Sequence, residues 1–219
     1  VSLGYPGYVL SASTSKAKFY GTVVPLAGSL WGELPVSYPR YFLQEGMVLA
    51  NLAVQDDKGR YKIRGSIDIL EARLALPEGQ KEVVVSAPST SGPVPVEFEN
   101  ILIRAERNII IQEALAKGEL AGEVYLDGPF SNPYLSGEVR PLSGSFTLWN
   151  RLFTVLPERD GETSYARFNP AGGILPDILI IAGTTVPSAK GVYQVDLLLR
   201  VKYIREKGKI RPYLDPVFR

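Results

Sequence analysis

Neither cysteine nor histidine occurs anywhere in the 219 residues. Without cysteine there are no disulfides, thiolate metal sites or thiol nucleophiles. The lack of histidine removes the commonest general base and the commonest transition-metal ligand. An enzyme built on this chain would have to work with carboxylates, lysine, tyrosine or serine alone. No cofactor or metal is implied. Long apolar runs are missing as well: no window of about 18 apolar residues exists, so no membrane-spanning helix is expected. An initiator methionine and a signal peptide are also lacking, and a β-like pattern already runs through Tyr8, Val9 and Leu10. The chain therefore reads as a piece of a longer protein. Methionine occurs once beside 17 prolines, and with little Asn or Gln this points to a thermophilic source.

What is present is alternation. Hydrophobic residues make up 45% of the chain and the net charge is +1, so it is neither disordered nor generally basic. The length allows one large all-β domain or two small ones. From Asn108 to Asp127, Ile110, Ala114, Ala116, Leu120, Val124 and Leu126 fall on one face at period two. Glu113, Lys117, Glu119, Glu123 and Asp127 fall on the other. That is a strand with one apolar and one wet face. Good helix formers occur here, but Gly118 and Gly122 argue against a helix.

The same pattern recurs along the chain. Val48 to Val54 and Tyr61 to Ile69 form a hairpin around Asp56-Asp57-Lys58-Gly59, where the paired acids are turn residues. The apolar phase slips by one residue at Ile69-Leu70, which predicts a bulge. Short strands are expected at Val83–Val85 and Tyr165–Phe168, and a polar loop over 157–163. Gly172-Gly173 is not a phosphate loop, since no Lys-Ser/Thr follows. Val195, Leu197, Leu199, Val201 and Tyr203 alternate in the last long strand. Residues 21–30 (GTVVPLAGSL) align without gaps to 137–146 (GEVRPLSGSF). This internal repeat, extended to 8–30 with 124–146, implies a stack of similar β units.

Several motifs in order resemble the C-terminal region of the TamB family, envelope proteins related to AsmA. They are Asn132-Pro133-Tyr134-Leu135-Ser136-Gly137-Glu138-Val139, Gly144-Ser145-Phe146, Phe153-Thr154-Val155 and Pro176-Asp177-Ile178-Leu179-Ile180-Ile181-Ala182. The segment Ile67 to Pro77 is similar to the stretch upstream, so the likeness covers roughly residues 60–204. Where the family carries Gly-Pro after its short strand, this chain has the loop 157–163. The resemblance implies an all-β fold in which residues 1–219 form a single elongated sheet, folded along its length into an apolar groove, a β-taco or half-pipe. It implies passage of phospholipid between the inner and outer membranes of a diderm bacterium, an inner-membrane anchor elsewhere in the protein, and an outer-membrane β-barrel partner of the Omp85 type. Candidate groove residues are Ile63, Ile67, Ile110, Leu120, Val124, Leu126, Val139, Phe146, Ile178, Ile180, Val195, Leu197 and Leu199.

Two other readings stand beside this one. The apolar faces equally make the closed core of a structural β-solenoid or adhesin-like scaffold. A glycosidase needs two facing carboxylates, for which Glu97/Glu99 or Glu119/Glu123 are available, although alternation puts them on the wet face. A charge at Val124 or Leu197 is expected to block a lipid path and leave the β-structure intact. The first and last strands should be adhesive edges. A basic tail, with Lys207, Lys209 and Arg211 at its centre, would meet anionic headgroups or an acidic partner at the groove's mouth.

Overall fold

The computed structural model describes residues 9–13, 17–23, 26–38, 43–74, 95–206 and 209–219. The Val83–Val85 strand, the phase beyond Leu74 and Lys207 lie outside the described residues. Lys209 and Arg211 are described as backbone only. The strands are β1 (Val9–Ser13), β2 (Ala17–Val23), β3 (Leu26–Tyr38), β4 (Leu43–Asp57), β5 (Arg60–Leu74), β6 (Val96–Gln112), β7 (Ala116–Pro129), β8 (Tyr134–Leu148) and β9 (Arg151–Leu156). They continue as β10 (Glu158–Arg159), β11 (Glu162–Thr163), β12 (Tyr165–Phe168), β13 (Pro176–Ser188), β14 (Gly191–Glu206) and β15 (Lys209–Phe218). A single 3-10 turn, Pro170–Gly172, interrupts the strands among the described residues.

All but β10 and β11 join one 13-stranded sheet in chain order. Pairing is antiparallel except between β5 and β6, which run parallel. The chain is all-β, and the sheet curves into a half-pipe. Its surface is 14292 Å², against about 9,900 Å² expected of a compact chain of this mass.

Local chemistry explains the elements. In the β4–β5 hairpin, Lys58 and Gly59 both have positive φ (55° and 84°), as a two-residue type I′ turn requires. The Gly59 amide donates to Asp56 Oδ1 at 2.7 Å, so the acidic pair is turn chemistry as expected. The bulge also falls where the phase slip puts it: Met47 pairs Glu71 and Val48 pairs Ile69, leaving Leu70 over. Two further register shifts in β6 coincide with Asn100 and Asn108, at φ 53° and 69°, a conformation asparagine tolerates.

Three stretches take shapes that alternation alone did not give. The run from Asn108 to Asp127 is two strands, turning at Ala114-Leu115, with the Glu113 amide bonded to the Ala116 carbonyl at 2.8 Å. A two-residue loop pairs residues of opposite parity, so a period-two pattern read straight through it changes face. The aligned segments 21–30 and 137–146 take different shapes. The first folds back, pairing Val23 with Leu26 and Gly21 with Gly28; the second runs along β8 as one strand with a bulge. The end of the chain is a ten-residue strand, β15. There Asp196 and Arg219 exchange both backbone hydrogen bonds, so the even-numbered positions of β15 face the free edge. Pro212 and Pro216 occupy two of those positions and remove two outward donors. This edge is blunted rather than adhesive.

One strand of the sheet is split. β9 and β12 lie end to end between β8 and β13, and each pairs with both neighbours. Between them the chain leaves the sheet as the small β10–β11 hairpin. This is the predicted polar loop. It turns at Asp160-Gly161, both with positive φ. Arg159 of the hairpin pairs with Asp196 at 3.2 Å and Glu162 with Arg219 at 3.2 Å. Ser164 re-enters the sheet with no exposed surface. Its hydroxyl donates to the Leu156 carbonyl at 2.7 Å and accepts from the Ile181 amide at 2.9 Å, bridging the gap in the ladder. Ser164→Ala leaves both of those groups without this partner. The expected loss is roughly 2–4 kcal/mol, read as a lower urea midpoint at unchanged slope. An unchanged midpoint would mean that water replaces the hydroxyl.

Candidate apolar groove

Paired residues on neighbouring strands share a face, so the register assigns every position. One row crosses eight strands: Gly32, Ala50, Ile67, Ile103, Val124, Gly137, Phe168 and Pro176. It contains no polar side chain. At about 4.8 Å per strand it runs roughly 34 Å, beyond the ~30 Å hydrocarbon thickness of a bilayer. Parallel rows on the same face add Ile63 with Val54, Leu126 with Ile101 and Leu135, Leu120 with Ile109, and Val139 with Ala166 and Ile178. Among the described residues, the register puts charged residues on this face only near strand ends, at Asp56, Arg151 and Arg205.

Of the candidate groove residues, twelve share this inner face. Ile63 and Ile67 come from β5; Leu120, Val124 and Leu126 from β7; Val139 and Phe146 from β8. Ile178 and Ile180 come from β13, and Val195, Leu197 and Leu199 from β14. Ile110 does not join them. It pairs with Glu119 on the outer face, while Ile109 and Ile111 take the inner positions, for the parity reason given above. Ile101, Ile103 and Phe153 are inner-face residues absent from the candidate set. The alternation of Ile101 and Ile103 was visible, whereas Phe153 is placed by the split strand, which no periodicity reveals.

The groove has two zones. Along β5 to β8 it is partly exposed: Ile63, Ile67, Leu120, Leu126 and Val139 are half-buried, while Ala50 on the adjoining β4 and Ile101, Ala105, Ile109 and Val124 between them are buried. Toward the C-terminal strands it is filled by its own side chains. Phe153, Ala182, Leu197 and Leu199 form a buried cluster, packed by Phe146, Leu148 and Ile180. The Phe146 and Phe153 rings stack at 5.6 Å. Trp149, in the turn between β8 and β9, and Phe218 of β15 then meet at 5.6 Å between centroids.

The outer face carries the charges in cross-strand pairs. Arg104 meets Asp68 at 2.7 Å, and Arg64 meets Glu99 at 2.7 Å. Glu138 takes both Arg140 and Arg167. Burial pushes the Glu138 carboxyl upward, but these two guanidiniums outweigh it and hold the group below the usual carboxylate range. Glu97, Glu119 and Glu123 are outer-face residues too. The carboxylates proposed for a glycosidase do not face one another across the groove.

A large curved sheet with an apolar inner face and a charged outer face defines a β-groove fold. The TamB C-terminal domain matches residues 24–202, and the chain belongs to the TamB family. That places it among proteins of the bacterial cell envelope. No curated protein matches the sequence. No helix among the described residues is long and apolar enough to cross a membrane.

Proposed function

We propose that the chain is a non-catalytic lipid-conducting segment that shields phospholipid acyl chains in its apolar groove between the inner and outer membranes. In this reading the groove is one continuous unit of a longer periplasmic protein. That protein is anchored in the inner membrane and meets an outer-membrane barrel of the Omp85 type. The observation that carries the reading is the row from Gly32 to Pro176, free of polar side chains, in which Ile67, Ile103, Phe168 and Pro176 keep some exposure while Gly32, Ala50 and Val124 are buried. An acyl chain in water costs about 0.8 kcal/mol per CH2, so roughly 12 kcal/mol for sixteen carbons, and a trough of this length and chemistry offsets that cost. The ligand-contacting residues are Ile63, Ile67, Leu120, Val124, Leu126, Val139 and Ile178. Phe146, Ile180, Val195, Leu197 and Leu199 belong to the filled end and close the trough.

A photo-crosslinking residue at Ile67 or Leu126 is expected to capture phospholipid in cells. The same probe at the outer-face position Glu123 is expected to capture none. Leu126→Asp should abolish capture at position 67 and leave the circular dichroism spectrum unchanged. Equal capture from both faces would defeat the proposal. A folded protein without capture from either face would favour the second reading, a self-filled scaffold, which the cluster around Phe153 and Leu197 supports at the C-terminal end.

A further inference from the structure

The two rims of the half-pipe differ in chemistry. β6, β8 and β13 run in the same direction, so the β6–β7, β8–β9 and β13–β14 turns lie along one rim. Each presents an exposed bulky apolar residue with a cation one or two positions away. At the first turn Leu115 is 65% exposed, two residues before Lys117. At the second, Trp149 is 63% exposed, with Arg151 and exposed Leu152 beside it. At the third, Lys190 precedes Val192, 72% exposed, and exposed Tyr193. Successive tips are two strands apart, or about 10 Å. Glu113, the acidic residue at this row of turns, is half-buried. The opposite rim turns on Lys58-Gly59, on Phe130 to Pro133 and on Asn169 to Gly173, and Phe130 is its one bulky exposed apolar residue among the described turn residues.

Trp149 adds an independent sign. It and Asn150 form a two-residue turn with φ 49° and 59°, positions where Asn-Gly is the favoured pair. A bulky aromatic residue in this conformation is unusual. Here it combines a disfavoured backbone with an exposed indole, and its ring contact is with Phe218, itself about half-exposed. Local stability does not account for the choice.

We propose that this rim rests on an anionic lipid surface, with Leu115, Trp149 and Val192 entering the headgroup–acyl boundary and Lys117, Arg151 and Lys190 on the phosphates. Tryptophan and tyrosine collect at that boundary because one end of each ring system is apolar and the other polar. Cations spaced among them add attraction that salt screens. The rim lies along the groove's opening, so docking presents the trough to the bilayer from the side.

The test uses the 219-residue chain carrying Trp31→Phe, which leaves Trp149 as the only indole. Mixed phosphatidylglycerol–phosphatidylcholine vesicles should shift its emission to the blue, and lipids brominated near the headgroup should quench it. Lys117→Ser, Arg151→Ser and Lys190→Ser together should weaken vesicle binding about a hundredfold, at about fivefold per cation. Trp149→Asn, a better turn residue, should keep or raise the thermal midpoint yet reduce flotation with vesicles. Leu126→Asp, which blocks the groove, should bind vesicles as the parent does. Unshifted emission, or binding lost in Leu126→Asp but kept in the cation variant, overturns the proposal. Lipid-independent self-association abolished by Trp149→Asn would assign the rim to protein contact and overturn it equally.

Discussion

Leu197→Asp is expected to leave the chain without its native fold at room temperature. The Leu197 side chain has no exposed surface and packs with Phe153, Ala182 and Leu199. The substitution removes buried methyl groups, at about 2–5 kcal/mol for a large-to-small change. It also places a carboxyl where no cation faces it, since the inner face near this cluster carries no charge but Arg151 toward the rim. Such a group takes up a proton rather than stay charged, and the cost is several kcal/mol more. The sum is of the order of the whole stability of an ordinary domain, about 5–15 kcal/mol. Loss of the β-type circular dichroism spectrum is the readout. The sequence pattern assigned Leu197 to an open path that would accept a charge without unfolding. The filled end of the groove reverses that expectation. A folded Leu197→Asp protein with an unchanged urea midpoint would mean that the cluster is open after all. Leu126→Asp, on the half-exposed stretch, should cost far less, and the contrast between the two maps where the trough ends.

Gly65→Val should be comparably damaging for a different reason. A Cβ at Gly65 would lie 2.0 Å from the Asn51 carbonyl oxygen and 3.0 Å from Leu52 Cα, and its φ is 133°. The obstacle is backbone on both counts, so no side chain can swing aside. β4 and β5 would have to part in the middle of the sheet, which costs ladder hydrogen bonds as well as packing. A loss above about 4 kcal/mol is expected, in the range reserved for a few identifiable mechanisms. Gly59→Ala in the same hairpin is the control. It has a positive φ of 84° but nothing within 4 Å of the added Cβ, so only about 1 kcal/mol should go. Equal midpoints for the two variants would show that conformation alone, not the approach of the strands, restricts position 65.

The features legible in the sequence were those carried by short-range pattern. The β4–β5 hairpin, the bulge at Leu70, the strand at Tyr165–Phe168 and the apolar face of β14 follow from alternation and turn chemistry. Ile110 was misplaced because period two carries no record of the two-residue turn at Ala114-Leu115. β15 was read only by its charge, as a basic tail; its two prolines take outward positions, where they cost no ladder bond. The parallel pairing of β5 with β6 and the split strand of β9 and β12 depend on which segments meet across long intervals. Local composition does not encode that. The zoning of the groove was hidden for the same reason. Leu126 and Leu197 look alike in an alternating strand, and only the curl of the sheet leaves one half-exposed and buries the other.

The excursion between β9 and β12 gives the protein an attachment point. Its hairpin stands outside the ladder, and the strand resumes its register at Tyr165 however the chain travelled in between. At the tip, Asp160 and Gly161 are exposed, and a side chain added at Gly161 would meet nothing within 4 Å. Sequence of foreign length can therefore enter between these two residues as it enters other exposed loop tips, with Ser164 still closing the gap. A fluorophore-binding peptide or an affinity tag placed there would report on the folded chain from its outer surface, away from both the trough and the aromatic rim.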